Sequence, residues 1–279
     1  MNPKKTYPIV LSIAGSDSLG GAGIQADLKT FSALGVYGAT AITAITAQNT
    51  LGVHAQYPIP PEMVYDQITA VIDDLHPSFV KIGMLSNVEI VLAVAEALSK
   101  YSLSIILDPV MVSSSGHRLL SVEAQDMVKQ KLLPMAMLIT PNLPEMEALT
   151  ELPLSTYEVK EKAAKCLLDG GAKAILLKGG HEEGSIKTDI LFTPSANDIQ
   201  SSLFSSESIP TRNIHGTGCT LSSAITAYLA KGVCLEEAIA AAKQYISKAI
   251  RAGANIEIGQ GFGPVNHGFN PLKMQVHEI

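Results

Sequence analysis

Short apolar runs of strand length alternate with segments of helical periodicity along almost the whole chain. The runs at 9–14, 39–47, 79–85, 104–107, 138–140 and 174–177 read as buried strands. Between them fall a helix over about 24–34, stopped by Gly35, and another beginning after Pro60 and Pro61. Asn87 caps a third, whose Val88, Val91, Leu92, Ala95 and Leu98 share one face. Strands buried on both faces need helical cover, so this alternation predicts an α/β fold: a mainly parallel central sheet, right-handed crossovers and helices on both sides. Residues 188–210 break the rhythm, being polar and serine-rich, and predict a small antiparallel edge. Helices over about 218–230 and 235–252 close the core. With no linker, repeat or charge block, residues 1–279 read as a single domain.

Composition narrows the function classes. Hydrophobic residues make up 47% of the 279 and charged residues only 16%, which suits a large core and gives some reason to expect an oligomer. The net charge of −6 and the lack of a dense Lys/Arg tract disfavour nucleic acid and anionic membrane as partners. Cys166, Cys219 and Cys234 form no CxxC pair, so neither a disulfide framework nor a zinc site is supported. Cys166 and Cys234 read as helix or core residues. The apolar run at 9–14 is too short for a signal peptide or a membrane span, and a cytoplasmic enzyme is the expectation.

The chemistry-bearing residues gather just after strands, the edge where open parallel sheets bind ligands. Gly21, Gly23 and Ala26 imitate a dinucleotide GxGxxA, yet no acidic residue lies between Asp27 and Glu62, which disfavours hydride transfer. GxxxxGK[ST] is absent, so the first loop reads as a glycine-rich wall for a small substrate. Asn142 and Glu145 could flank magnesium-bound water or simply form a capping box. Lys178-Gly179-Gly180-His181 offers a cation and close backbone approach to phosphate, and Asp108 could hold magnesium or cap a turn. In HGTGCT at 215–220, glycines open a helix whose N-terminus seats an anion, with Cys219 in its first turn. The helix dipole would stabilise a Cys219 thiolate as a base or nucleophile; alternatively Cys219 is a small buried hydrophobe. Together these are the parts of phosphoryl transfer.

The strings AGSDSLGGAGIQADLKT at 14–30, DPVM at 108–111, TPNLPE at 140–145, KGGH at 178–181 and HGTGCT at 215–220 resemble the hydroxymethylpyrimidine/phosphomethylpyrimidine kinase family of thiamin synthesis. That family lies within the ribokinase-like superfamily, and the resemblance runs from Ile9 to about His267. It implies a three-layer α/β/α frame and two successive ATP-dependent phosphorylations, of 4-amino-5-hydroxymethyl-2-methylpyrimidine and then of its monophosphate. By the same resemblance Gly216, Thr217, Gly218 and Cys219 supply the anion hole, with Cys219 where related kinases carry an aspartate base. Gln48 reads the pyrimidine ring, and Gly15, Asp27, Met84 and Val110 surround it. Lys178, Asn142 and Thr217 face ATP, while Glu145 and Asp108 lie near Mg2+. A homodimer is implied too, whereas the loop at 259–267 receives no catalytic role. Pyridoxal kinase shares this architecture and is the rival reading; a non-catalytic vitamin-binding protein is a second.

Overall fold

The computed structural model describes residues 5–113, 116–180, 184–196 and 198–278. In chain order the elements are β1 (Lys5–Thr6), β2 (Ile9–Asp17), α1 (Gly23–Ala33), β3 (Tyr37–Asn49), β4 (Gly52–Pro58), α2 (Pro61–Leu75), β5 (Phe79–Ile82) and α3 (Val88–Leu98). Next come β6 (Ser104–Leu107), α4 (Val122–Met127), β7 (Ala136–Ile139), α5 (Leu143–Thr150), α6 (Tyr157–Asp169) and β8 (Ile175–Leu177). The hairpin β9 (Ile186–Ser195) and β10 (Asp198–Glu207) follows, then α7 (Thr217–Ala230), α8 (Leu235–Gly253) and β11 (His277–Glu278).

One sheet of nine strands carries the molecule, in the order β10-β9-β8-β7-β6-β5-β2-β3-β4. From β8 to β3 every neighbouring pair is parallel. Antiparallel strands finish both edges, β4 on β3 and the β9–β10 hairpin on β8. The hairpin is the edge expected at 188–210. At the centre the chain leaves β2 for β3 on one side and later returns to β5 on the other. Such a reversal opens a crevice beyond the carboxyl ends of the strands.

Each helix is placed by an apolar stripe. Ile68 and Ile72 of α2, Val91 and Leu98 of α3, Met146 of α5 and Leu167 of α6 bury against one face of the sheet. Phe31 of α1, Leu221 and Ile225 of α7, and Ile239 and Ile246 of α8 bury against the other. Asn87 caps α3 as its sequence predicts, its side chain accepting from the Ile90 amide at 3.0 Å. Pro61 opens α2, where its missing N–H costs nothing.

Two expectations change. The run at 79–85 is a strand only through Ile82, and the chain then turns so that Met84 reaches the crevice. Of Cys166 and Cys234, read as helix or core residues, neither is in the core: Cys166 is an exposed residue of helix α6, as the helix reading allows, and Cys234 is exposed just before α8. Among the described residues, no helix is long and apolar enough to cross a membrane.

Candidate active site

A cavity of about 710 Å3 runs along the crevice, from Gln48 and Met84 at one end to Asp189, Lys243 and Ile250 at the other. That is room for two small ligands end to end. Midway stands the N-terminus of α7. Gly216 adopts φ +80°, and a Cβ there would lie 1.7 Å from the Gly21 carbonyl oxygen, so both its conformation and its packing demand glycine. No side chain caps this helix. The Thr217 amide donates to the Ile214 carbonyl and that of Thr220 to Gly216, which leaves the first-turn amides of Gly218 and Cys219 for an oxyanion.

Opposite that terminus lies a cation held between carboxylates. Lys178, just past β8, places Nζ 2.8 Å from Asp108 Oδ1 and 3.7 Å from Glu145 Oε2. Asp108, just past β6, also accepts from Thr140 and Ser222, each at 3.1 Å. A Cβ on Gly218 would approach Lys178 Nζ to 3.4 Å, so this glycine leaves open the space between the ammonium and the helix. Asn142 and Glu145 do form a reciprocal capping box at the start of α5, with both contacts at 2.8 Å. The box aims Glu145 at Lys178, so the capping reading and the site reading hold together.

The charges shape one another. Burial works to raise the Asp108 carboxyl, but the adjacent Lys178 and Lys81 outweigh it and hold it below the ordinary aspartate value. Glu145 has no such surplus: burial and the nearby Asp108 push it up to about 7 despite Lys178. Lys178 loses by desolvation yet is held firmly protonated by the two carboxylates.

Of the two readings of Cys219, the surroundings do not favour the thiolate. Burial pushes its thiol up to about 11, with Asp108 and Asp27 adding to the rise, and neither Lys81 nor the Gly23 amide offsets this. The helix dipole does not deliver a resident thiolate. Roughly one thiol in 10^4 is ionised at neutral pH with such a value.

Nearly all residues expected at the site line the cavity, including Gly15, Gln48, Met84, Val110, Asp108, Asn142 and Glu145. Lys178 and the whole run Gly216 to Cys219 line it as well. Asp27 does not. Its carboxylate is fully enclosed between Lys81 Nζ, 3.0 Å from both oxygens, and the hydroxyls of Ser12 and Ser223 at 2.6 Å. It welds α1, β2, β5 and α7 beneath the site instead of facing a ligand. His181 lies outside the described residues.

Sequence reasoning passed over three groups. Asp17 accepts from the amides of Leu19, Gly21 and Ala22 and lies 2.8 Å from His215 Nε2. Burial would raise it, but His215 and the Ala22 and Leu19 amides bring it below the ordinary value. Asp189, on β9, accepts from the Gly179 amide at 2.9 Å and from Lys243 at 2.7 Å, which fixes the chain just after Lys178. Lys81 sits at 0% exposure on β5. A lysine inside an apolar strand was the available signal for it.

Frame and site together define a phosphotransferase on a ribokinase-like α/β/α fold, with an anion-binding helix terminus facing a lysine–carboxylate cluster. The sequence model of the phosphomethylpyrimidine kinase family matches residues 17–266, and the chain belongs to that family. A hydroxymethylpyrimidine/phosphomethylpyrimidine kinase from Rhizobium meliloti is 51% identical over 260 residues, covering 93% of this chain and 96% of the relative. Among solved structures, a Bacillus subtilis pyridoxal kinase bound to ADP superposes with a TM-score of 0.85 at 37% identity, covering 94% of this chain and 98% of that one. A phosphomethylpyrimidine kinase from Clostridium difficile gives 0.75 at 45% identity, over 87% and 99% of the two chains.

Proposed function

We propose that this kinase uses ATP to phosphorylate 4-amino-5-hydroxymethyl-2-methylpyrimidine, and then the resulting monophosphate, in thiamin synthesis. The observation that carries the reading is the cavity itself, one crevice with a carboxamide at one end and the α7 terminus and Lys178 along its length. Gln48 offers the donor and acceptor that an aminopyrimidine edge requires, and Met84 gives the ring an apolar wall. The β- and γ-phosphates of ATP would lie between Lys178 and the amides of Gly218 and Cys219, with Asn142 and Thr217 alongside.

Asp108 and Glu145, carboxylates on the cavity wall on either side of Lys178, would hold a magnesium ion, which takes one or two carboxylates and completes its shell with water and phosphate oxygens. When bound, the ion neutralises phosphate charge. Lys178 does the same from the protein side, and the loose transition state asks for little beyond positioning and charge. The hydroxymethyl oxygen becomes bonded to the γ-phosphorus as the bond to ADP breaks, and its proton goes to Cys219 in the thiolate form. In the second transfer the acceptor is a phosphate, already ionised, and no base is called for.

Product mass spectrometry after incubation with ATP, Mg2+ and either hydroxymethylpyrimidine or pyridoxal tests the reading. Pyrimidine mono- and diphosphate are the expected products. Pyridoxal phosphate alone would transfer the assignment to vitamin B6 salvage, and ATP turnover with neither acceptor modified would sink both.

A further inference from the structure

The glycine-punctuated loop at 259–267 has no part in the chemistry above, and neither Thr50 nor residues 259–264 line the cavity. Its contacts nevertheless join the two halves of the site. On one side it wraps Thr50, the buried residue that follows β3, two positions past Gln48. The amides of Gln260 and Gly261 both donate to Thr50 Oγ1 at 3.1 Å, and that of Phe262 to the Thr50 carbonyl at 2.9 Å. A Cβ on Gly259 would stand 2.3 Å from Thr50 Oγ1, and one on Gly261 2.0 Å from its carbonyl oxygen. The wrap admits no side chains at these positions.

On the other side the loop grips the lead-in to the phosphoryl-binding terminus. The His215 amide donates to the Gly263 carbonyl at 3.0 Å, and His215 pairs with Pro264 in a parallel bridge. A Cβ on Gly263 would fall 2.2 Å from Asn213 Oδ1, while Asn213 Nδ2 ties this corner to the carbonyls of Gly253 and Ile256 at 2.6 and 2.7 Å. The circuit closes across the site, where the Gln48 carboxamide nitrogen lies 3.4 Å from His215 Nε2. Three alternating glycines thus meet two anchors, one beside the ring-reading residue and one beside Gly216.

We propose that the 259–264 loop is a positioning strut, with Thr50 and His215 as its two ends, that sets the register between the acceptor-ring subsite at Gln48 and the phosphoryl subsite at Gly216 to Cys219. The subsites named rest on the function proposed above; the strut itself rests on the contacts. Transfer requires the attacking oxygen near its in-line position, and small errors of register cost rate steeply.

The test is Thr50→Val, which keeps the shape and removes the hydroxyl that accepts both loop amides, with Thr50→Ser as the conservative control. In T50V the kcat of the first phosphorylation falls about tenfold or more, the KM for ATP stays within about twofold, and more than one ADP forms per pyrimidine phosphate, because water competes for a misaligned donor. T50S restores coupling. A merely stabilising role would lower the folded fraction and leave the ADP-to-product ratio and kcat per folded molecule untouched, and that result overturns the proposal. Amide hydrogen exchange supplies a readout without substrate. The strut predicts faster exchange in T50V at 213–219 together with 46–50; acceleration confined to 259–264 refutes it. Gly263→Ala loosens the strut from its other end and replaces T50V should that variant not fold, with the same criteria. If the wild-type protein leaves hydroxymethylpyrimidine unmodified, the function reading fails, while the exchange experiment still decides the strut.

Discussion

Two of the buried lysine–aspartate pairs, Lys81 of β5 with Asp27 of α1 and Lys178 just past β8 with Asp108 just past β6, have opposite fates. Lys81 and Asp27 have side chains at 0% exposure, and the remaining capacity of Asp27 is filled by Ser12 and Ser223. Lys178 and Asp108 form an equally short contact, but Lys178 keeps 12% exposure, borders the cavity, and has a second carboxylate 3.7 Å away. The first pair is closed to any ligand. The second leaves an ammonium bordering the cavity with a second carboxylate, Glu145, standing 3.7 Å away rather than in direct contact. Charge and burial alone do not mark a functional site; an unfilled coordination sphere facing a cavity does.

The sharpest break of this comparison is Lys81→Met. Removing one partner of an enclosed pair strands a buried aspartate, so unfolding free energy falls by about 3–5 kcal/mol in denaturant titrations. The kcat per folded molecule stays within about threefold. A lost kcat at unchanged stability would make Lys81 part of the catalytic machinery and erase the distinction.

Lys178→Gln is the mirror experiment. Asp108 retains Thr140 and Ser222, so the fold tolerates the change. Transition-state charge loses its partner, and kcat/KM for the first transfer falls about 10^2- to 10^3-fold. Near-normal turnover would show that the open pair is structural after all.

Between the two pairs sits Cys219, whose thiol is raised mainly by burial, with Asp108 and Asp27 adding and Lys81 opposing. A base with a thiol near 11 works only through its minority thiolate, so the first transfer accelerates with pH between about 7 and 9. Cys219→Ala flattens that rise and slows the first transfer about 10- to 100-fold, while the second, onto a phosphate, changes little. Equal losses in both steps, measured by separate assays on the alcohol and the monophosphate, would assign Cys219 to the anion hole or to packing.

The strand–helix rhythm made the parallel centre legible, because strands buried on both faces must be continuously apolar. β4 escaped the reading, since an edge strand with Tyr57 at 67% exposure needs no apolar run. α6 escaped it as well: Glu158, Lys160, Glu161, Lys162, Lys165 and Asp169 crowd around Ala163, Ala164 and Leu167, its buried positions. At the site, loop strings placed Lys178, Asp108, Glu145 and Gly216 because each needs a particular residue type at a strand end or helix start. Asp27 misled, for its string borders the site while its side chain is locked between central strands β2 and β5 and helix α7 beneath it. No local pattern announces the partners of Lys81, Asp17 or Lys243, whose meaning comes only from residues distant in the chain.

The smallest effect asks most directly what Glu145 adds to the open pair. Its carboxyl is raised from 4.5 to about 7 in the folded protein, mainly by burial. A carboxyl raised on folding binds its proton more tightly in the native state. Its favourable contribution is therefore complete below about pH 4.5 and is lost as pH rises through about 7. Glu145→Gln keeps an acceptor for the Asn142 amide and removes the titration. In thermal melts without nucleotide or magnesium, the melting temperature of the wild type minus that of E145Q should fall steadily from pH 5 to pH 8. A flat difference would mean that Lys178 keeps Glu145 ionised throughout. The second pair would then be as fully satisfied as the first, and the open sphere that separates them would disappear.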